Sequence, residues 1–419
     1  MVTRIKGPSV QKIIIEKPYK FVPPHRGDWL PTWIRNSNLF GNWLKKNEGI
    51  EKFQCRNVER LRQTLDEGHA VMLTPNHARN GDPLVIGWLA REANFLIYAM
   101  ASWHLFNQGR FMAWAIPKMG GFSVNREGLD RQALNVAIDS LAEADRPLVI
   151  FPEGSVTRTN GQLSSLLDGV AFIARAAAKK RQREDPPGKV FIHPIAMRYV
   201  FHGDLEAAAD KVLSGIEERF SWQPQSHLPL LERIDRVGEI LLATKEIEYF
   251  GSAQQGDQVT RQQRLINRVL CPLEEVWLGE SQQGEVLPRI KKLRLKIVPE
   301  MIRGELSKED HQRRWRHLAD TYLAQQLASN PPDYLAGRCT RERILETIER
   351  FEENLTDQVT VHGNLEVIID VGERIEVGPQ RDRSADGDPL MGQLEEALSG
   401  MLEELEERET EIWRPEGDG

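Results

Sequence analysis

His77 and Asp82 are the two residues in this chain whose types and spacing are best suited to chemistry. On a continuous helix their side chains would diverge by about 140°, because each residue turns the helix by roughly 100°. Across a loop that runs into a helix start, the carboxylate can turn back to a ring nitrogen. An aspartate so placed fixes the imidazole tautomer and stabilises the imidazolium, leaving the other nitrogen free as a general base. A Gly-Asp-Pro helix cap and a loop histidine also occur separately for purely structural reasons. The pair therefore needs support from elsewhere in the chain.

The flanking residues supply the positioning elements. Ala70–Leu73 is a compact apolar run bounded by Pro75, which predicts the end of a buried strand. Gly81-Asp82-Pro83 predicts a helix start, with Asp82 as N-cap and Pro83 at the first helical position. His77 then falls on a loop at the carboxyl end of a strand, where open α/β sheets bind their ligands.

Three further stretches follow in order: Gly120-Gly121-Phe122-Ser123-Val124-Asn125-Arg126, Phe151-Pro152-Glu153-Gly154, and the apolar strand Val190–Ile195 with Pro194 inside it. Arg126 offers a fork of donors matched to phosphate oxygens, with a surface ion pair to Glu127 or Asp130 as the alternative. Gly154 lets backbone approach an anion, whereas Glu153 alone could simply order its loop. Taken together, His-x4-Asp, Gly-Gly-x4-Arg, Phe-Pro-Glu-Gly and the strand proline resemble the glycerophospholipid acyltransferases. The nearest group is that of the 1-acylglycerol-3-phosphate (lysophosphatidate) acyltransferases.

The resemblance covers roughly Arg56 to Val200 and implies an α/β acyltransferase. In such an enzyme the histidine deprotonates an acceptor hydroxyl, which attacks an acyl thioester directly. It further implies that Gly120, Gly121, Arg126, Phe151–Gly154 and the adjoining Ser155 and Arg158 hold the acceptor's glycerol phosphate, and that Pro194 belongs to the region shaping the acyl-donor pocket. Donors near Gly154 or in the Asn76 loop are available to a developing oxyanion. Two departures stand out: Ser123 replaces an aromatic or aliphatic residue, and Ser155-Val156-Thr157-Arg158 places an arginine two positions late. They leave acceptor identity less fixed than reaction type.

Composition bounds the rest. The chain has 419 residues, 40% hydrophobic and 28% charged, which is ordinary globular composition and long enough for two domains. Its three cysteines, Cys55, Cys271 and Cys339, are far apart, with neither metal-ligand nor disulfide-framework spacing, which fits a reducing cytoplasm. No metal or tightly bound cofactor is expected; acyl-CoA or an acyl-carrier protein enters as co-substrate. The first twenty residues lack a signal-peptide apolar stretch, and no run reaches the roughly twenty apolar residues of a spanning helix. With a net charge of −7, attraction to anionic lipid must be local, and no nucleic-acid partner is expected.

The strand and helix signals alternate from Asn57 to Ala196. This predicts an α/β fold: a mostly parallel sheet flanked by helices, followed by a long, mainly helical C-terminal region. Four segments follow. Residues 1–55 form a basic, tryptophan-rich arm, with Lys6 and Lys12 among its cations and Trp29, Trp33 and Trp43 among its aromatics, suited either to a lipid surface or to packing on the body. Residues 56–203 form the acyltransferase domain and 204–357 the helical region. Residues 358–419 hold a short strand pair, a loose stretch at Gln380–Asp388 and an acidic helix. The Leu394, Leu398, Met401, Leu402 and Leu405 stripe of that helix is expected to dock on the body or on a protein partner. Basic clusters at Lys179–Arg183, Arg289–Lys296 and Arg313–Arg316 fit helix ends and solvated faces better than ligand sites.

The expected function is transfer of a fatty acyl group to a lysophospholipid hydroxyl, 1-acylglycerol 3-phosphate first, by a cytoplasmic enzyme peripheral at the inner face of the membrane. Another lysolipid or glycerol 3-phosphate is the alternative acceptor. A catalytically silent lipid-surface or scaffold protein is the alternative of another class.

Overall fold

In the computed structural model, the described residues are 4–6 (backbone), 16–128, 130–220, 223–304, 306–381 and 387–414. Lys12, the side chain of Lys6, Leu129 at the expected start of a helix, and 382–386 of the expected loose stretch lie outside them. The strands in chain order are β1 (Arg4–Lys6), β2 (Ile50–Arg56), β3 (Ala70–Pro75), β4 (Tyr98–Ser102), β5 (Gly121–Val124), β6 (Leu148–Val149), β7 (Val190–Phe201), β8 (Gln358–Thr360), β9 (Leu365–Val371) and β10 (Ile375–Glu376). The chain divides into two compact units. One comprises 19–202 and 363–410; the other comprises 1–18, 203–362 and 411–419.

The first unit is an eight-stranded sheet in the order β2-β9-β7-β3-β6-β4-β5, with β10 added to β7. Its pairings are parallel except those of β7 with β9 and with β10. Met72, Tyr98, Phe122, Leu148 and Ile192 from the strands join Leu141 and Ile173 from flanking helices in one buried core. Such uninterrupted apolar strands are what a sheet covered on both faces requires. All six residues of β3 are buried, and Pro75 ends the strand directly before the histidine loop.

Sequence reasoning set the last sixty residues apart as a strand pair with a separate helix. In the structure β9 and β10 do not pair with each other. β9 inserts between β2 and β7, and β10 pairs with β7. The leucine stripe is consumed there too: Leu394 and Leu398 join the main core, and Leu402 and Leu405 pack on Ala196, Val200 and Ile368. A face buried within its own unit is not available to a protein partner.

The arm also differs from expectation, because β2 belongs to the sheet and the arm ends at Gly49. Its Tyr19–Arg26 stretch lies against β5, where the Ser123 N–H donates to the Val22 carbonyl at 3.0 Å. The Ser123 hydroxyl oxygen accepts from Val22 N–H at 2.8 Å. An aromatic or aliphatic residue there could not bind the arm in this way. The two helices that follow, Trp29–Asn36 and Leu39–Glu48, leave Trp29, Trp33, Leu39 and Trp43 exposed.

The second unit is built largely from helices between Leu205 and Thr356. Buried Glu217, Glu246 and Glu274 each close a helix end in the same way. Each accepts two hydrogen bonds from an arginine on the next helix, respectively Arg233, Arg261 and Arg289. Each also accepts from the backbone N–H of a loop glutamine, Gln225, Gln254 or Gln282, at 2.8–2.9 Å. The arginines recur at intervals of 28 residues, the signature of a repeated helical hairpin. Arg289 and Arg314 of the basic clusters are therefore buried ion-pair partners, Arg314 of Asp310 and Glu300.

Candidate active site

The site lies at the carboxyl end of β3, in the first unit. His77 Nδ1 sits 2.9 Å from Asp82 Oδ2, with Asp82 fully buried. Asp82 is the first helical residue and Gly81 the N-cap, one position earlier than the sequence implied. The carboxylate nevertheless turns back over the loop: Oδ2 also accepts from Arg79 N–H at 2.9 Å, and Oδ1 accepts from the Tyr199 hydroxyl. Burial, reinforced by Asp82, holds the Tyr199 phenol well above its ordinary pKa, so it remains a donor. His77 Nε2 has no hydrogen-bond partner among the described residues, and the side chain keeps 10% of its surface open.

The loop after β6 grips the backbone of His77. Glu153 accepts from His77 N–H at 2.6 Å and from Ser164 N–H at 2.9 Å, while Thr157 N–H donates to the His77 carbonyl at 2.9 Å. Burial raises the Glu153 carboxyl to about 7 against the opposing pull of those two amides. Phe151 stacks on the imidazole at 4.2 Å between centroids and 29° between planes. Gly154 is left-handed, with φ +70°, and a Cβ there would stand 2.4 Å from Leu167 Cδ1. Phe-Pro-Glu-Gly thus fixes the histidine's position and stacks on its ring.

β7 extends beyond the end of β3, and two asparagines complete its hydrogen bonding. Asn76 donates to the Met197 carbonyl and accepts from Met197 N–H, at 3.1 and 2.7 Å. Asn160 brackets Tyr199 in the same way, at 2.6 and 2.9 Å. Asn76, expected among the substrate contacts, therefore spends its amide on holding β7, and with it Tyr199, beside Asp82.

Three other expected residues, Gly120, Gly121 and Pro194, sit in close packing. Gly120 and Gly121 sit at the amino end of β5, away from the catalytic edge. A Cβ on Gly120 would lie 2.0 Å from the Ile97 carbonyl oxygen, and one on Gly121 would lie 2.5 Å from Ile116 Cγ2. Pro194 is a buried sheet residue opposite Thr74, and its carbonyl accepts from Gly372 N–H at 2.8 Å. Pro152 is buried, whereas Ser155 and Arg158 are half-buried in the loop, Arg158 with φ +63°. Arg126 is exposed at the carboxyl edge beyond β5. Asp130 nearby caps the next helix through Ala133 N–H and accepts from Asn125 N–H. A cavity of about 650 Å³ opens elsewhere in the unit, among Arg60, Arg374, Glu373 and Glu404, and contains none of the expected residues.

Tyr199, Arg79, Thr157 and Asn160 were not anticipated. A tyrosine beside Arg198 in a mostly apolar strand was the available signal for Tyr199, since a buried phenol needs a partner. The other three act through backbone contacts that leave no spacing pattern. Among the described residues, no group of three His, Cys, Asp or Glu side chains could hold a metal ion.

Residues 52–198 match the family model described as Acyltransferase. Over 112 residues the chain is 30% identical to a 1-acyl-sn-glycerol-3-phosphate acyltransferase of Streptococcus pneumoniae (strain ATCC BAA-255 / R6), a stretch covering 27% of this chain and 39% of that relative. The chain thus spans about two fifths of the length of the curated relative it matches. The matched region contains His77, Asp82, Glu153 and the strands that carry them, and residues 52–198 are accordingly similar to acyltransferase domains.

Proposed function

We propose that the chain transfers a fatty acyl group from a CoA or carrier-protein thioester to the hydroxyl of a lysophospholipid, with 1-acylglycerol 3-phosphate as first acceptor. The observation that carries this reading is the buried His77–Asp82 hydrogen bond with Nε2 left open. Asp82 holds the proton on Nδ1, so Nε2 presents a lone pair and removes the acceptor's hydroxyl proton. The oxygen attacks the thioester carbonyl carbon, a C–O bond forms, and the C–S bond breaks. The departing thiolate takes the proton from Nε2, returning the imidazole to its starting state. Asp82 stabilises the transient imidazolium, and Glu153 and Thr157 keep the ring's backbone fixed throughout. Glycerol 3-phosphate or another lysolipid would undergo the same steps.

No helix among the described residues is long and apolar enough to cross a membrane. Trp29, Trp33, Leu39 and Trp43 on the arm helices, with Phe111 and Trp114 on Arg110–Lys118, are exposed. These exposed apolar and aromatic side chains support peripheral attachment to a lipid surface, taken here as the inner face of the membrane, where an insoluble acceptor is reached. The test is purified chain with a labelled acyl donor and a panel of lysolipids plus glycerol 3-phosphate, read by mass spectrometry. Acylated 1-acylglycerol 3-phosphate is the expected product. A different acylated acceptor would change the substrate, and no acyl transfer from either donor type would remove the enzymatic reading.

A further inference from the structure

Loops leave the carboxyl ends of β3, β6, β4 and β5 in that spatial order, and the His77 centre uses the first two. Strand register fixes the level of the others. Met72 and Tyr98 both pair with Leu148, so Ser102 lies level with Asn76, two strand spacings or about 10 Å along the edge. Val124 pairs with Ser102, and Arg126 follows two residues later.

At this point the chain holds a serine–histidine pair that the chemistry at His77 does not use. Ser102 Oγ and His104 Nδ1 are 2.8 Å apart. Ser102 is buried, and its hydroxyl has no other acceptor among the described residues, so its proton points to Nδ1. Burial, then the positive charge of Arg126, pulls the His104 imidazole down to about 4. The ring is neutral near pH 7 and, with Nδ1 accepting, must carry its own proton on Nε2. That N–H has no partner among the described residues and is not sealed from solvent.

We propose that His104, its tautomer set by Ser102, adds a directed hydrogen bond to the acceptor's phosphate beside Arg126, the residue to which the family resemblance already assigns that group. The guanidinium supplies charge, His104 Nε2–H supplies one directed hydrogen bond, and Ser102 sets the tautomer that makes it a donor. The inference rests on the acyl-transfer reading above. It makes His104 a specificity-determining residue, because a neutral donor adds affinity for a phosphate oxygen and little for a bare hydroxyl.

The experiment uses the full chain and two soluble probes, 1-hexanoylglycerol 3-phosphate and 1-hexanoylglycerol, each measured for binding by calorimetry and for acylation kinetics. His104→Ala should weaken binding of the phosphorylated probe and raise its KM by about tenfold, the loss expected for one hydrogen bond to a charged group, with kcat within about twofold. His104→Gln, whose amide N–H can replace Nε2–H, should recover to within about threefold. Ser102→Ala should fall between. The unphosphorylated probe should not distinguish the variants. Wild-type affinity of His104→Ala for the phosphorylated probe, equal weakening of both probes, or failure of wild type to bind the phosphorylated probe would each overturn the subsite. Turnover with an unchanged phosphate preference in His104→Ala would remove the subsite alone. Phosphate-selective binding without turnover would support the subsite while removing the acyl-transfer reading.

Discussion

Replacing Asp82 by asparagine separates the charge of this carboxylate from its geometry. Asp82 Oδ2 accepts from two donors, Arg79 N–H and His77 Nδ1, while Oδ1 faces the Tyr199 hydroxyl. An asparagine must place its carboxamide oxygen at the Oδ2 position, because a backbone N–H can only donate. Its NH2 group then faces Tyr199, whose hydroxyl can turn and accept. The imidazole therefore keeps its tautomer and loses only the counter-charge. Opposite charges about 4 Å apart at an effective dielectric of about 20 interact by about 4 kcal/mol, an upper limit equal to roughly 10³ in rate. Tyr199 and Arg79 already share part of that charge, so Asp82→Asn should lose roughly 10²–10³ in kcat. Adding Tyr199→Phe leaves the asparagine NH2 buried without an acceptor while Arg79 N–H still fixes its oxygen, so the double variant should fall below Asp82→Asn without reaching the level of His77→Ala. The assay is steady-state acyl transfer, with thermal unfolding as a check on the fold. Wild-type turnover in Asp82→Asn would refute imidazolium stabilisation, and a loss well beyond about 10³ would refute the tautomer argument.

Glu153 gives a pH signature. Its carboxyl is raised to about 7 in the folded chain against 4.5 for an ordinary glutamate, so the native state holds the proton more tightly and stability is lost as pH rises from about 4.5 to 7. The Glu153→Gln variant lacks that loss. Its stability relative to wild type should improve by up to about 3 kcal/mol across the window, measured by denaturant unfolding at each pH, and a pH-independent difference would contradict the shift. In the helical unit, Glu246→Ala leaves buried Arg261 without its bidentate partner and should cost about 3–5 kcal/mol. Removing exposed Glu232, paired with Arg236, should change thermal unfolding little, and equal effects would undo the repeat interpretation. Trp33→Ser with Trp43→Ser should reduce co-sedimentation with phospholipid vesicles without lowering the unfolding midpoint; unchanged sedimentation would remove the arm helices as the attachment surface.

The legible part of this molecule was local. Apolar runs ended by Pro75 and Gly154 marked strands leading into loops, and the five-residue separation of His77 and Asp82 survived a one-residue shift of the helix start. What the sequence concealed is non-local. Tyr199 reaches Asp82 from 117 positions away. β9 enters the sheet more than 150 residues after β7, and sequence adjacency instead suggested a partner in β10. Side chains that bond to backbone, such as Asn76, Asn160 and Thr157, follow no periodicity, so Asn76 was read as a ligand contact and the other two passed unnoticed. Of the three arginine–glutamate pairs only Arg289 was singled out, as part of a solvated face, and the 28-residue recurrence of the arginines became apparent only beside their burial.

The most direct test is His77→Ala assayed with labelled acyl-CoA and 1-acylglycerol 3-phosphate beside wild type. General-base catalysis contributes on the order of 10²–10⁴ in rate, so transfer should fall by about that factor while the unfolding midpoint holds. Turnover at the wild-type rate would contradict the assignment of His77 as the base.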